Sequence, residues 1–230
     1  MKNHGKKYLQ AREKLPAGKV FSHLDGLKKL KELSFARFDE SVDVHVNLGI
    51  DPSKGDQVVR GSVLLPHGIG RQVKVVVFAK GDYAEAARKA GADYVGAEDL
   101  IEKIEGGWLD FNNAVATPDL MGLVGKVAKI LGPRGLVPNK KTGTVTFDVA
   151  DVVSDLKKGR LFFKNDKSGI IHFSFGRVSF DVEKLDENLD AFIRILVGSK
   201  PSSSKGKFIK KLTISSTMGL GVPLNPDEIS

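Results

Sequence analysis

Hydrophobic and polar residues alternate strictly from Ser41 to Leu48, a pattern that predicts a strand with one buried face. Before it, leucines recur at near-helical spacing behind Ser22 and Asp25, which resemble a capping box. These leucines are Leu24, Leu27, Leu30 and Leu33. The sequence therefore predicts a core-facing helix and then a half-buried strand, with a second strand expected from Val58 to Leu65.

A different pattern begins at Val73, where short apolar runs alternate with helical segments. The runs predict strands at 73–78, 92–95 and 114–116, and the segments between them predict helices at 82–90, 98–105 and 118–131. A further helix around Val152 and Leu156 is expected to end at Gly159. Because strands joined by helices form parallel sheets with both faces covered, this region predicts a Rossmann-like α/β domain.

Two-residue alternation returns after Arg160, with strands expected at 161–163 and 170–175. Residues 165–169 between them read Asn-Asp-Lys-Ser-Gly, and such residues adopt the left-handed conformations of hairpin loops, so a β-hairpin is predicted. An apolar stripe then predicts a helix with Asp181 as its cap and Gly198 as its end. The stripe consists of Leu185, Leu189, Phe192, Ile193 and Leu196. A final strand is expected at 207–215, and the tail after Val222 is expected to be irregular.

The two ends of the chain are each too short in strands and helices for a convincing core, but together they match an ordinary small domain. The expected fold class is α/β (α+β), with residues 1–66 and 161–230 forming one discontinuous domain and residues 67–160 inserted as the Rossmann-like domain. Hinges are expected at Pro66 to Gly70 and at Gly159 to Arg160, where glycine absorbs backbone rotation.

Composition favours a polyanionic partner. The 230 residues include 36 Lys and Arg against 28 Asp and Glu, a net charge of +8. Residues 1–66 hold 12 basic and 8 acidic residues and residues 161–230 hold 10 and 8, so the discontinuous domain is the expected RNA-binding domain. Residues 1–19 are basic and are expected to stay solvated or to lie along a phosphate backbone.

Several classes of chemistry lack their sequence signals. The chain has no cysteine, which excludes disulfides and thiolate metal sites. The amino terminus has no apolar signal core, and no apolar run approaches the roughly 18 residues of a membrane span, so a cytoplasmic protein without a membrane partner is expected. No cofactor and no metal are predicted.

An enzyme that uses a nucleotide on the inserted domain is the main alternative, but its phosphate loop is not found. Residues 68–73 approach a G-x-G-x-x-G pattern but precede the strand, and residues 122–127 lack the spacing of a P-loop. A generic basic RNA-binding module is a third hypothesis. We therefore expect a protein that is not an enzyme.

The segment from Ile130 to Val145 is the most distinctive stretch of the chain. A helix is expected to end at Gly132 and Pro133, because glycine tolerates a positive φ and proline cannot continue the helix. The loop after it carries Arg134, Lys140 and Lys141, and its prolines and glycines restrict the loop. An anionic partner explains these charges, and so does a solvated connection between a helix and a strand.

The same segment resembles the signature of a known family. Residues 131–139, Leu-Gly-Pro-Arg-Gly-Leu-Val-Pro-Asn, followed by Gly-Thr-Val at 143–145, are similar to large-subunit ribosomal protein one, the protein of the mobile ribosomal stalk. Further blocks agree in order along almost the whole chain. They include residues 4–6, 38–40, 48–52, 60–61, 65–68, 90–96, 116–119, 165–167 and 217–219. The resemblance implies a two-domain fold without enzymatic activity.

The resemblance also implies which residues contact RNA. A flat aromatic ring, a thioether, a hydroxyl and a glycine are groups that suit riboses, bases and close backbone approach. The expected primary contacts are Arg37, Phe38, Asn165, Asp166, Lys167, Ser168, Thr217, Met218 and Gly219. An ordinary core residue at Phe38, and plain turns at 165–168 and 217–219, are the alternatives. The expected secondary contacts are His4, Lys6, Lys7, Arg134, Lys140 and Lys141.

The resemblance implies a protein that binds large-subunit ribosomal RNA. It also implies that the protein is a monomer when it is outside the ribosome. The implied further partners are exit-site transfer RNA, whose release accompanies stalk motion, and the messenger RNA of its own operon, whose translation it represses. Two residues depart from the family pattern: Leu220 stands where proline is usual, and Lys140 stands where the loop often has proline.

Overall fold

The computed structural model describes residues 5–16 and 18–228. It divides the chain into two compact units, a first unit of Met1–Gly70 with Phe162–Ser230 and a second unit of Arg71–Leu161. The domain boundaries expected from the sequence, at 66/67 and 160/161, lie within a few residues of this division.

The described residues form a mixture of helices and strands. The α-helices are α1 (Lys6–Glu13), α2 (His23–Leu33), α3 (Asp82–Lys89), α4 (Glu98–Glu105), α5 (Met121–Leu131), α6 (Val149–Lys158) and α7 (Val182–Gly198). The strands are β1 (Ser41–Leu48), β2 (Arg60–Leu64), β3 (Val75–Phe78), β4 (Tyr94–Gly96), β5 (Asn113–Ala116), β6 (Arg160–Lys164), β7 (Ile170–Arg177), β8 (Ile209–Ser216) and β9 (Val222–Leu224). None of the described helices is long and apolar enough to cross a membrane.

The first unit is built on an antiparallel sheet with the strand order β7-β1-β8-β9. The predicted alternation of β1 is confirmed. Its apolar residues are buried on the inner face of the sheet, while Asp43, His45 and Asn47 lie on the other face. The inner face is covered by α2 and α7, which contact each other and the strands.

Helix α2 begins as predicted but turns one leucine outward. The Ser22 side chain accepts a hydrogen bond from the backbone N–H of Asp25, which confirms the predicted cap. Leu24, however, is 45% exposed, and His23 takes the place on the buried side. A step of three residues falls about 60° short of a full turn, so four leucines at this spacing spread over about half of the helix surface. The prediction of one shared buried face was wrong for Leu24.

Helix α7 carries the predicted buried stripe and has the predicted ends, since it follows Asp181 and its last residue is Gly198. Every residue of the stripe is at most 1% exposed. Asp181 makes no side-chain capping bond, and its carboxylate pairs instead with Lys184, while the helix includes Gly198 and is followed by Ser199. Near its middle, buried Asn188 accepts a hydrogen bond from the His67 N–H and donates to the carbonyls of Gly68 and Phe175. This amide ties the start of the expected hinge segment to the first unit.

The predicted β-hairpin at residues 165–169 was wrong. Strand β6 pairs with β2 in a separate two-stranded sheet, β7 pairs with β1, and only a single bridge between Asn165 and Ile171 joins the two sides of the turn. Among the described residues only glycines have a positive φ, so Gly169 alone is left-handed here, at 76°. The Asp166 carboxylate stabilises the turn instead, because its Oδ1 atom accepts from the N–H groups of Ser168 and Ile170.

The second unit contains a parallel sheet with the order β4-β3-β5, which confirms the expected parallel arrangement. All four residues of β3 are buried, as expected for a central strand covered on both faces. An isolated β-bridge between Ala116 and Val145 places the end of the basic loop next to β5. Helix α5 ends at Leu131, but Gly132 is right-handed and the left-handed residue is Gly135, at φ 69°. The predicted end of the helix at Gly132 was therefore correct, but the expected positive φ of that glycine was wrong.

Two regular segments were missed in the sequence. Helix α1 falls in the basic stretch expected to be solvated, and it has one buried residue, Ala11, so it lacks the apolar stripe that would reveal it. Strand β9 falls in the tail expected to be irregular. It has three residues and contains Pro223, which is tolerated because the strand lies at the edge of the sheet.

Candidate nucleic-acid interface

The predicted primary contacts lie at opposite ends of strand β1. At its start, Ser41 lies beside the turn formed by residues 217–219, since Ser41 N–H donates to Thr217 Oγ1 at 3.0 Å. At its end, Leu48 N–H donates to the carbonyl of Gly169, which closes the turn at 165–168. We call Arg37, Phe38, Thr217, Met218 and Gly219 the Phe38 cluster, and Asn165, Asp166, Lys167 and Ser168 the Asp166 turn.

Two large apolar side chains of the Phe38 cluster face outward. Phe38 is 57% exposed and Met218 is 54% exposed. Such exposure excludes the interpretation of Phe38 as a core residue. Exposed apolar groups of this size are candidates for contact with a partner when polar and basic residues surround them. Arg37 is exposed beside Phe38, and the Arg177 guanidinium donates to the Asp39 carbonyl at 2.8 Å, which brings a second cation to the same loop.

Glu40 holds the cluster together and was missed in the sequence. It is 1% exposed; its Oε1 atom accepts from Ser34 Oγ at 2.6 Å and Ala36 N–H at 3.2 Å, and its Oε2 atom accepts from Met218 N–H at 2.8 Å. Burial raises the pKa of Glu40, but the hydrogen bonds, led by that from Ser34, outweigh burial and lower it. One ionised carboxylate therefore joins residues 34–40, which we call the Phe38 loop, to residues 217–219, which we call the Met218 turn. The available signal was its position in the family-like block at residues 38–40.

Thr217 and Gly219 are shaped by the same turn. The Thr217 N–H donates to the Ser41 carbonyl at 3.2 Å, and its hydroxyl oxygen already accepts from Ser41, which leaves the hydroxyl to act as a donor. A Cβ atom at Gly219 would lie 2.3 Å from Ser216 Oγ, and the Ser216 hydroxyl bonds to Glu40. A side chain at position 219 would therefore have to displace the Ser216 hydroxyl, a partner of Glu40.

In the Asp166 turn, one residue is buried and the other three, Asp166 among them, are exposed. Lys167 and Ser168 are exposed. Asn165 is 6% exposed, accepts from Val59 N–H at 2.8 Å and donates to the Asp166 carbonyl at 2.8 Å. The structure therefore gives Asn165 a supporting role in the turn instead of the expected direct contact. Backbone hydrogen bonds from Ile170 and Ser168, with the nearby His172, lower the pKa of Asp166, so this carboxylate is ionised.

A polar sheet face connects the two ends. His45 is half-buried, and its Nδ1 atom lies 2.8 Å from the His172 Nδ1 atom on β7. Its Nε2 atom lies 3.0 Å from Ser215 Oγ on β8. Burial, and then the neighbouring His172, lower the pKa of His45. The two residues are 127 positions apart, so no local sequence pattern predicts this pair.

The basic loop of the second unit is fixed by hydrogen bonds. Thr144 is 4% exposed, its Oγ1 atom accepts from the Asn139 N–H at 2.8 Å, and its own N–H donates to the Asn139 carbonyl at 3.2 Å. Arg134 and Lys140 are exposed on this loop. Lys6 and Lys7 are exposed on α1, whereas His4 and the side chain of Lys141 lie outside the described part of the chain.

Comparison with known proteins agrees with these observations. The family model described as "Ribosomal protein L1p/L10e family" matches residues 30–220. The chain belongs to that family. A curated relative from Desulfosudis oleivorans, "Large ribosomal subunit protein uL1", is 52% identical over 226 residues, covering 98% of this chain and 97% of the relative. A protein of the same name from Rhodococcus erythropolis is 52% identical over 227 residues, covering 99% and 95%.

Membership decides between the hypotheses drawn from the sequence. The family consists of structural ribosomal proteins without enzymatic activity, which confirms the expected non-enzymatic class. The nucleotide-dependent enzyme on the second unit is therefore excluded. The family match at residues 30–220 extends over parts of both units, and it includes both the basic loop and the Phe38 cluster.

Proposed function

We propose that this protein is a structural component of the large ribosomal subunit in the cytoplasm, and that its first unit binds a folded region of large-subunit ribosomal RNA. The observation that carries the proposal is the Glu40 carboxylate. It bonds to both the Phe38 loop and the Met218 turn, and so it fixes two exposed apolar side chains beside Arg37 and Arg177.

These groups suit the recognition of RNA shape. Phe38 can stack on a base or ribose, Met218 can lie on a ribose, and Thr217 can donate to a 2′-hydroxyl. At a rise of about 3.3 Å per residue, strand β1 separates the Phe38 cluster from the Asp166 turn by roughly 25 Å. An RNA must reach both contacts at the same time. Two contacts at this spacing therefore favour an RNA whose fold presents suitable groups at both places over a regular duplex. Lys167 and Ser168 supply the second contact, with Asp166 accepting from a 2′-hydroxyl or a base amino group.

The test is the affinity of the full chain for the stalk region of large-subunit ribosomal RNA and for a random duplex of equal length, over a salt series. We expect the stalk RNA to bind at least about 1,000-fold more tightly at physiological salt. The affinity for the duplex should fall steeply with salt, because phosphate contacts dominate nonspecific binding. Equal affinities with equal salt dependence would instead indicate a generic basic module.

We further propose that the basic loop of the second unit contacts a second RNA. Arg134 and Lys140 are exposed on a backbone held by Thr144, so their charges sit on a rigid support. With Lys141 they suit the phosphates of exit-site transfer RNA, whose release would accompany motion of the ribosomal stalk. Outside the ribosome the protein acts as a monomer, and the basic residues Lys6 and Lys7 with His4 add phosphate contacts.

The same RNA-binding surface would allow the protein to repress its own operon. A messenger leader that imitates the ribosomal site would occupy the Phe38 cluster and block initiation. Overproduction of the protein should therefore lower translation of a reporter that carries this leader, and a leader with a disrupted ribosome-like fold is the control. Unchanged translation of the intact leader would contradict the repressor role without affecting ribosomal RNA binding.

A further inference from the structure

A cavity of about 190 Å³ lies on the helical side of the first unit, between the start of α2 and one face of α7. The side chains of His23, Asp186, Asp190, Arg194 and Glu228 are among those that line it. Helices α2 and α7 cover the inner face of the sheet, whereas the polar face between the Phe38 cluster and the Asp166 turn is the outer one. The cavity therefore has no part in the RNA surface proposed above.

Two buried polar atoms at this cavity lack a partner. His23 is 8% exposed, and within the described residues its Nε2 atom and the Oδ1 atom of Asp186 are buried without a hydrogen bond. An unsatisfied buried polar atom costs roughly 1–3 kcal/mol, and native proteins contain few of them. Two such atoms at one cavity point to a ligand that both of them bind.

The charges around the cavity select a cation. Asp186 and Asp190 lie one helical turn apart on the same face of α7. The Glu228 carboxylate adds a third negative charge, since its Oε2 atom accepts from the His23 N–H at 3.2 Å. Arg194 is the basic residue of the lining, and it is exposed.

The distances fit a metal ion. One ring nitrogen of His23, Nδ1, lies 3.7 Å from Asp190 Oδ1, and the other, Nε2, is the buried nitrogen without a partner among the described residues. An ion would bind one of the two, because they lie on different edges of the ring. In the described part of the chain, His23, Asp186 and Asp190 form a group in which one ligand atom from each lies within 4.8 Å of the others. Zinc bonds of about 2.0–2.2 Å place neighbouring ligand atoms roughly 3–4 Å apart, so small side-chain movements would close the site. One imidazole with carboxylate oxygens suits zinc better than magnesium or calcium, which prefer oxygen ligands alone.

We propose that His23, Asp186 and Asp190 bind a divalent transition-metal ion of the zinc type, with Glu228 or water as a further ligand. The ion would join the start of α2 to α7 and to the segment that carries Glu228. Its role would be structural, because binding to the folded state alone stabilises that state.

The test uses the full chain without an affinity tag, freed of metal with a chelator. Calorimetry with zinc should show one tight site, and zinc should raise the melting temperature by several degrees, while magnesium should not. Cobalt in place of zinc should give the visible absorption of a low-coordinate site. Absence of zinc binding would overturn the proposal, because the cavity would then hold no metal ion.

Variants locate the site. His23→Gln and Asp186→Asn should each weaken zinc binding at least about tenfold, because each loses a ligand. Without metal, Asp186→Asn should melt no lower than the wild type, because it removes repulsion from Asp190, so lost binding cannot be ascribed to misfolding. His172→Gln is the matched control, since it disrupts the pair with His45. If it lowered zinc affinity as much as His23→Gln, the ion would lie on the sheet face and the proposal would fail.

Discussion

The double variant Phe38→Ala, Met218→Ala should lose most of the preference for stalk ribosomal RNA over a random duplex, by roughly 30-fold or more. Both side chains are more than half exposed, and contact of an aromatic or apolar side chain with a base is worth about 1–3 kcal/mol, with tenfold in affinity per 1.4 kcal/mol. Weak binding that depends on salt should persist, because the lysines and arginines are unchanged. Equilibrium binding of both RNAs at two salt concentrations measures the effect.

The second unit offers a matched control. Tyr83 and Phe147 are 42% and 46% exposed, and their ring centroids lie 5.5 Å apart. The double variant Tyr83→Ala, Phe147→Ala removes similar apolar surface but should leave the preference for stalk RNA unchanged. If both double variants lost the preference equally, the Phe38 cluster would have no special role. Thermal unfolding of each variant should match the wild type, because exposed side chains contribute little to stability.

The sequence predicted those parts of the fold that depend on local spacing. The alternation of β1, the buried stripe of α7 and the helix α4 at Glu98–Glu105 were all correct, because one face of each packs on a core. The predicted hairpin at residues 165–169 was wrong because strand pairing does not depend on local spacing. Alternation shows that a strand has a buried face, but it does not show which strand is its partner, and β6 and β7 join different sheets.

Less of the candidate site than of the fold could be predicted from the sequence. Phe38 was ambiguous because a phenylalanine beside a strand suits a core and a surface equally well, and only its exposure decides. Asn165 was misjudged because polar turn residues suit either a ligand or the turn itself, and only its hydrogen bonds with Val59 and Asp166 show which. Glu40 bonds to Met218 across 178 positions, and no local pattern reports such a contact.

Substitution of Glu40 by glutamine should destabilise the first unit and weaken specific RNA binding while leaving Phe38 and Met218 in place. Both carboxylate oxygens accept from N–H or O–H donors, so an amide nitrogen at either position would face a donor. A buried donor left without an acceptor costs about 1–3 kcal/mol, and the loss of charge-assisted bonds adds to it. We expect the free energy of unfolding to fall by about 2–4 kcal/mol at pH 7. The preference for stalk RNA should fall with it, since the Phe38 loop and the Met218 turn lose their common anchor.

The pH dependence of this effect identifies the ionised carboxylate as its cause. The pKa of Glu40 is lowered in the folded protein from the ordinary value of 4.5, so its contribution to stability is complete above that value and is lost as the pH falls toward the folded pKa. The wild type and Glu40→Gln should therefore differ most at neutral pH and converge below about pH 4.5 in denaturant unfolding. Glu32→Gln is the control, because Glu32 makes an exposed pair with Lys29 on α2 and its loss should change stability little. A stability difference for Glu40→Gln that stayed constant from pH 7 to pH 4 would show that shape, and not charge, holds the Phe38 loop to the Met218 turn.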